Sequence, residues 1–354
     1  MDTPTTPTVV ALLPAHDEQR NISSAIRNLE NQTVRPDRII VIPNNCTDAT
    51  AEIAASCGAE VRVMTGNRDK KAGALNWVLA DLLVELGPDD LVLVQDADSN
   101  LDRAFLEKAL PYAVSPTFGA VGGVFRGEGG AGLVGHLQRN EYTRYARDVR
   151  NLGGRCLVVT GTAAVFRVGV LREVSQARLD GRLPAGDGRG GVYDTTVLTE
   201  DNEISFAVQT LGYRLVSPLG CYLTTEIMPT WSALWHQRLR WKRGAVENCV
   251  QYGYTPTTRR YWNRQALALT GVIIFALYLS TLLVALVTGS MQILPFWLGV
   301  TLVFMVERTV TVKDAGWKQM LVSFTMYEFV LDIFLQACHA TAFAQAFAQA
   351  ERKW

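Results

Sequence analysis

The sequence predicts an α/β fold with a mostly parallel sheet, followed by C-terminal membrane helices, and three observations lead there. Short β-branched apolar runs alternate with helical patterns through the first half of the chain. A polar cluster follows each of several runs, at the strand ends where open α/β sheets bind ligands. From residue 265 to residue 306 there is no Asp, Glu, Lys or Arg, which ordinary protein surface does not tolerate.

The elements follow in order. Residues 9–13 read as a strand ending at Pro14, and residues 21–31 as a helix. Residues 38–42 form a second strand ending at Pro43, followed by a helix that Thr47 is placed to cap. Residues 61–64 make a third strand, 72–86 a helix, and 91–95 a fourth strand running into Asp96. Such a sheet is covered on both faces. Its strand ends carry Pro14-Ala15-His16-Asp17-Glu18, Asn44-Asn45 and Asp96-Ala97-Asp98. Residues 175–193, rich in glycine and poor in periodic apolar positions, read as a mobile loop before Thr199-Glu200-Asp201.

Composition excludes several classes. The 34 basic and 34 acidic residues balance, so neither a nucleic-acid-binding face nor an acidic tail is implied. Six scattered cysteines without a Cys-x-x-Cys pair argue against a zinc site and for a reducing compartment. Residues 1–7 lack a basic start and an apolar run, so no cleaved export signal is expected.

Residues 266–287 would make a helix of about 33 Å, matched to a hydrocarbon core of about 30 Å. Gly289-Ser290 breaks the pattern and residues 291–306 return as a shorter span. Arg259, Arg260 and Arg264 before this hairpin, with Lys313 and Lys318 after it, place both ends and the preceding domain in the cytoplasm. Residues 320–348 carry Glu328, Asp332, Gln336 and His339 on one helical face. That helix reads either as an interfacial helix with those groups in water or as a third span whose polar face meets other subunits or an acceptor path. The expected division is a domain over residues 1–255, with interfacial helices near 229–255, and a helical region over 256–354.

Three constellations carry chemistry. Asp96 and Asp98 sit two apart at a strand end, able to share a hard divalent cation such as Mg2+ or Mn2+, although Asp-x-Asp is also common in solvated turns. Thr199-Glu200-Asp201 opens a helix, where acids are favoured whatever their function. Gln237-Arg238-Leu239-Arg240-Trp241 combines an indole, which stacks on a sugar ring, with a guanidinium fork suited to phosphate. The same residues also suit a basic amphipathic helix at a membrane surface.

In this order and spacing the motifs resemble the family 2 processive inverting glycosyltransferases, the family of cellulose, chitin and hyaluronan synthases, over roughly three quarters of the chain. The resemblance implies a GT-A type nucleotide-sugar-binding domain. It implies that Pro14, Ala15, His16, Glu18, Asn44, Lys71 and Asp96 contact the nucleotide, probed through Lys71-Ala72-Gly73-Ala74-Leu75-Asn76 and the strand-end motifs. His16 stands where the family has an aromatic residue, and Asn44 where it has the first acid of Asp-Gly-Ser-Thr-Asp. Asp98, with Asp96, would hold the metal on the donor diphosphate. Asp201 would be the general base that inverts an α-linked donor, with Glu200 beside it keeping the carboxylate basic at a helix N-terminus. Gln237, Arg240 and Trp241, and a small-residue position at Gly161-Thr162, would hold the acceptor.

The implied activity is transfer of a hexose or N-acetylhexosamine from a UDP-sugar to a sugar hydroxyl. The implied partners are the nucleotide-sugar, a sugar or glycolipid acceptor, membrane lipid and a second copy of the chain, with no nucleic acid. Single transfer to a membrane lipid or polyprenyl phosphate, a non-catalytic nucleotide-sugar-binding scaffold, and nucleotidyltransfer are the competing readings.

Overall fold

The computed structural model describes residues 7–292, 295–313 and 316–350. Residues 1–6 of the export-signal reading and residues 293–294 of the second expected span therefore lie outside the described residues. The chain divides into two compact units that interleave along the sequence, unlike the single boundary expected at 255. The first comprises the chain up to Glu128, Asp148–Glu226 and Val250–Thr258. The second comprises Gly129–Arg147, Ile227–Cys249 and the chain from Arg259.

In the first unit the described residues form a seven-stranded sheet. Its strands are β1 (Val9–Ala15), β2 (Arg38–Pro43), β3 (Glu60–Val61), β4 (Leu91–Gln95), β6 (Phe118–Gly122), β8 (Ala163–Arg167) and β9 (Arg214–Val216), in the order β3-β2-β1-β4-β8-β6-β9. The β1–β2, β1–β4, β2–β3 and β6–β9 pairs are parallel; β8 runs antiparallel to both β4 and β6. A smaller sheet joins β5 (Ser99–Leu101), β10 (Tyr222–Thr225) and β7 (Val124–Gly127).

Strand residues alternate between two cores because successive side chains leave a strand on opposite faces. Val10, Leu12, Ile40, Ile42, Val92 and Val94 pack with α3 (Lys70–Glu85), α6 (Val168–Leu179) and α7 (Glu200–Thr210). Val9, Ala11, Leu13, Val41, Leu91 and Leu93 pack with α1 (Ile22–Glu30), α2 (Thr50–Ser56) and α4 (Phe105–Ala113). With both faces buried, strands such as Leu91-Val92-Leu93-Val94 read as continuous apolar runs. The mostly parallel α/β sheet and the helix positions match the sequence reading.

Two local expectations are corrected. Thr47 does not cap α2: the position before the helix is Ala49, while Asp48 accepts from the Thr50 N–H at 3.0 Å and Thr47 donates to Asp17. The glycine-rich segment is tied down rather than loose. Its first residues, Ser175 to Leu179, are the end of α6. The rest is held by Arg178, which donates to the Pro184 and Val192 carbonyls and pairs with Glu203 at 2.6 Å. Asn76 adds two hydrogen bonds to the Tyr193 backbone and Ser175 one to Gly190. Local composition shows loop chemistry but not these partners, which lie up to 117 residues away.

The second unit is helical: α5 (Gly132–Asn151, up to Arg147), α8 (Trp231–Tyr252, up to Cys249), α9 (Arg259–Thr288), α10 (Pro295–Thr311), α11 (Trp317–Phe324) and α12 (Phe329–Phe347). Helix α9 has a mean hydropathy of 2.4 over its most apolar window, none of which is buried, and α12 reaches 1.2. Both are long and apolar enough to cross a membrane. The second expected span, residues 291–306, appears later as the 17-residue α10. Of the polar face expected over residues 328–339, three groups have partners within this unit, and the Gln336 Oε1 is buried without one among the described residues. Glu328 precedes α12 and takes Arg144, Arg308, Asn140 and Ser323; Asp332 pairs with Arg308; His339 meets Lys242 Nζ at 2.7 Å. Charges of this kind persist in an apolar setting only when paired.

Candidate active site

Three carboxyl-bearing segments converge in the first unit. Asp96 follows β4, its N–H bonded to the Thr162 carbonyl at 3.0 Å, so the antiparallel β4–β8 pairing sets the residues before β8 against the Asp-x-Asp turn. Asp201 lies in the first turn of α7, where its carboxylate accepts the Gly161 N–H at 3.0 Å and the Asn202 N–H at 2.8 Å. The backbone approaches closely at Gly161: a Cβ there would lie 3.2 Å from the Asp201 carboxylate, which would have to move by a few tenths of an ångström. Gly161 and Thr162, expected at the acceptor, thus lie beside Asp201 and Asp96, to which their backbone is hydrogen-bonded.

Lys71, at the start of α3, ties these segments together. Its ammonium lies 2.5 Å from Asp96 Oδ1, 3.1 Å from the Gly161 carbonyl and 3.3 Å from Glu200 Oε1. Burial alone would depress this lysine, yet Asp96, Glu200 and Asp201 hold it above its ordinary value. A small cavity of about 10 Å³, roughly one water in size, is lined here by Lys71, Gly161, Tyr193, Glu200 and Asp201.

Burial, then the neighbouring Glu200 charge, pushes Asp201 up to about 6, against Lys71 and the two backbone N–H donors. A helix N-terminus favours a lowered carboxyl, and here desolvation wins. Asp96 is pushed to about 6 by burial, opposed by Lys71 and reinforced by Asp98. Asp98 accepts from Ser99 Oγ at 3.0 Å and is raised by burial, then by Glu18 and Glu226. Glu18 is likewise raised by burial, with Glu226, Asp96 and Asp48 adding to it. Glu226, at the end of β10, is a member of this carboxylate group that no motif marks; only the β5–β10 pairing brings it there. These hard oxygen donors repel one another and Lys71 only partly offsets them, so the set fits a divalent cation of the Mg2+ or Mn2+ type.

The remaining nucleotide candidates frame the ends of β1 and β2. Pro14 and Ala15 are in β1, and Ala15 accepts the Asn44 N–H at 2.8 Å. His16 is exposed, with Nδ1 2.8 Å from the Asn44 carbonyl. The Asn44 amide is committed locally: its Oδ1 accepts from Asn67 at 2.9 Å and its Nδ2 donates to the Lys70 carbonyl at 3.2 Å, leaving one oxygen lone pair for a base. Asp17 and Asn45 on these loops, and Lys70 at the first position of α3, adopt positive φ of 53–55°, backbone strain of the kind that collects at ligand sites.

The Gln-x-x-Arg-Trp residues belong to the second unit, on α8. Buried Arg238 pairs with Glu141 at 2.8 Å, donates to Gln237 at 2.6 Å and lies 4.4 Å over the Trp241 ring. One indole face expected for a sugar is thus covered by a guanidinium, which sequence spacing alone does not show. Arg240 and Trp241 are half-buried.

The sheet order and the carboxylates at its strand ends are those of a GT-A-like α/β domain. Residues 11–175 match the model of Glycosyl transferase family 2, and the chain carries a domain of that family. It is 28% identical over 254 residues to the beta-monoglucosyldiacylglycerol synthase of Synechocystis, covering 70% of this chain and 49% of that protein. It is 25% identical over 292 residues to the poly-beta-1,6-N-acetyl-D-glucosamine synthase of Staphylococcus aureus, covering 77% and 64%. The chain thus spans about half of the first of these curated relatives and less than two thirds of the second. Among solved structures it resembles a mannosyltransferase of Pyrobaculum calidifontis, determined with GDP-Man and Mn2+, with a TM-score of 0.63 and 19% identity over 98% of this chain and 89% of the other. At that identity the likeness is one of fold.

Proposed function

We propose that this protein is a membrane-attached, inverting glycosyltransferase that moves a hexose or N-acetylhexosamine from a nucleoside diphosphate sugar, a UDP-sugar by preference, to an acceptor hydroxyl. The observation that carries the reading is the juxtaposition of Asp201, raised to about 6 and aimed by the Gly161 N–H, with the Asp96–Lys71–Glu200 bridge. A base that is ionised at neutral pH yet close to its midpoint is matched to taking a proton from a sugar hydroxyl. In this reading Asp201 is the base and Glu200 sustains its basicity. Pro14, Ala15, His16, Glu18, Asn44, Lys71 and Asp96 line the donor, and Gln237, Arg240 and Trp241 serve the acceptor. Asp98 and Asp96 would hold Mg2+ or Mn2+, which when bound neutralises charge on the leaving diphosphate.

Residues 1–255 form the catalytic region on the cytoplasmic side in this proposal, and residues 256–354 the membrane region with α9 as a span. Oligomers form through the C-terminal helices; a monomer by native mass measurement in mild detergent would refute that part. A second reading, single transfer to a membrane lipid, is supported by the similarity to an enzyme named for monoglucosyldiacylglycerol. The scaffold reading is disfavoured because Asp96, Asp98, Asp201, Arg240 and Trp241 are all in place.

The test is nucleotide release by the purified, detergent-solubilised chain. Donors are UDP-glucose, UDP-N-acetylglucosamine, UDP-galactose, UDP-glucuronate and GDP-mannose, each with Mg2+, Mn2+ or EDTA, and with diacylglycerol or oligosaccharide as acceptor. Metal-dependent release of one nucleoside diphosphate supports the reading, and the acceptor that accelerates it names the branch. Asp201→Asn should keep nucleotide binding and lose transfer. Normal transfer by that variant would remove Asp201 as base, and pyrophosphate as product would make the protein a nucleotidyltransferase.

A further inference from the structure

We propose that, against the expectation from cysteine spacing, His16, Asp17 and Cys46 form a site for a soft divalent transition metal of the Zn2+ type, with a ligand set distinct from the Asp96/Asp98 pair. One ligand atom from each residue lies within 4.8 Å of the others. A tetrahedral zinc with bonds of about 2.0–2.3 Å sets ligand atoms roughly 3.5 Å apart, so closing the site takes a shift of about 1 Å. His16 and Asp17 are exposed and Cys46 half-buried, so the shift does not disturb the core.

Each ligand already has the supporting contact that metal ligands use. His16 Nδ1 is 2.8 Å from the Asn44 carbonyl, a partner that can only accept, which puts the proton on Nδ1 and leaves Nε2 with its lone pair. The Asp17 carboxylate accepts from the Thr47 N–H at 2.7 Å and from the Thr47 hydroxyl at 3.3 Å. Cys46 Sγ accepts the Asp17 N–H at 3.4 Å and donates to the Ala15 carbonyl at 3.4 Å, a bond that metal ligation would replace. Asp17, itself a ligand, and Asn45, next to Cys46, are held at φ of 55° and 53°.

Three protein ligands with one open position describe a zinc centre that exchanges its metal or takes a further ligand, rather than a closed structural one. A thiolate with an imidazole selects zinc over magnesium, the reverse of the carboxylates at 96 and 98. Binding releases the thiol proton to solvent, and no redox step is involved. Occupancy would also withdraw His16 from the base of a bound nucleotide, so that zinc inhibits donor binding; this consequence alone rests on the function proposed above.

The experiment is titration of the detergent-solubilised full chain with Co2+, then Zn2+, under reducing conditions. A near-ultraviolet thiolate-to-cobalt absorption that one equivalent of Zn2+ abolishes and excess Mg2+ does not is the expected result. Cys46→Ser should remove the band, His16→Asn should weaken Zn2+ binding about tenfold or more, and Cys57→Ser and Asp98→Asn should leave the band intact. No band in folded wild-type protein, or a band that survives in Cys46→Ser, would overturn the site. Nucleotide binding with and without Zn2+ is read separately: a cobalt band without competition leaves the metal site standing and overturns the base contact of His16.

Discussion

Replacing Glu203 with Gln removes one charge from the most deeply buried ion pair of the first unit. The Arg178 and Glu203 side chains are 1% and 0% exposed and meet at 2.6 Å, and Tyr252 donates to the other Glu203 oxygen at 2.5 Å. In Glu203→Gln the guanidinium keeps the Pro184 and Val192 carbonyls and can meet a neutral amide oxygen, but the buried cation loses the counter-charge in direct contact with it. Breaking a buried pair from one side costs about 3–5 kcal/mol. At about 2–4 °C per kcal/mol for domains of this size, the melting temperature should fall by roughly 6–20 °C. The assay is thermal unfolding of the solubilised chain by far-ultraviolet circular dichroism at one fixed scan rate. Arg178→Met combined with Glu203→Leu removes both charges together and should recover most of the loss. A drop under about 2 °C in Glu203→Gln, or a double variant as unstable as the single one, would refute the uncompensated-charge argument.

Four further outcomes follow from the site. Because burial and Glu200 hold Asp201 at about 6 and the base works only when ionised, kcat should be level above pH 7 and fall toward tenfold per pH unit below about 6. Glu200→Gln, by removing a neighbouring negative charge, should move that acid limb to lower pH; an unmoved limb would exclude Glu200 as its cause. Gly161→Ala places a Cβ 3.2 Å from the Asp201 carboxylate and should lower kcat about tenfold with nucleotide affinity kept within about twofold, whereas unchanged kcat would show that this contact does not aim the base. Asp98→Asn removes one charge from the carboxylate group and should raise the Mn2+ concentration needed for half-maximal turnover about tenfold, so an unaltered metal titration would take Asp98 out of the cation site.

Most of the first unit was readable because its strands are buried on both faces. Val9–Ala15, Arg38–Pro43 and Leu91–Gln95 appear as apolar runs each stopping at a polar cluster. The segment before Thr199 was misread as mobile because its order comes from Arg178, Asn76 and Ser175, whose partners are chosen by the fold rather than by neighbours in sequence. Glu226 escaped notice for the same reason, lying 128 residues from Asp98 with no motif around it. The Trp241 ring was read as open to a sugar, although the adjacent-turn Arg238 covers one of its faces.

Local chemistry and order along the chain therefore sufficed for the α/β class, the polar strand ends, the acids at 96, 98, 200 and 201, and the apolar helices after residue 259, since each depends on residues close together in sequence. Which groups meet was decided only by folding. Lys71 reaches Asp96 and Glu200, 25 and 129 residues away, and the Gly161 N–H finds Asp201 across 40 residues. His16 and Asp17 are brought to Cys46 by the parallel pairing of β1 with β2. Such contacts depend on strand register and helix packing, and the proton affinities of Asp96 and Asp201 follow from the burial those contacts create.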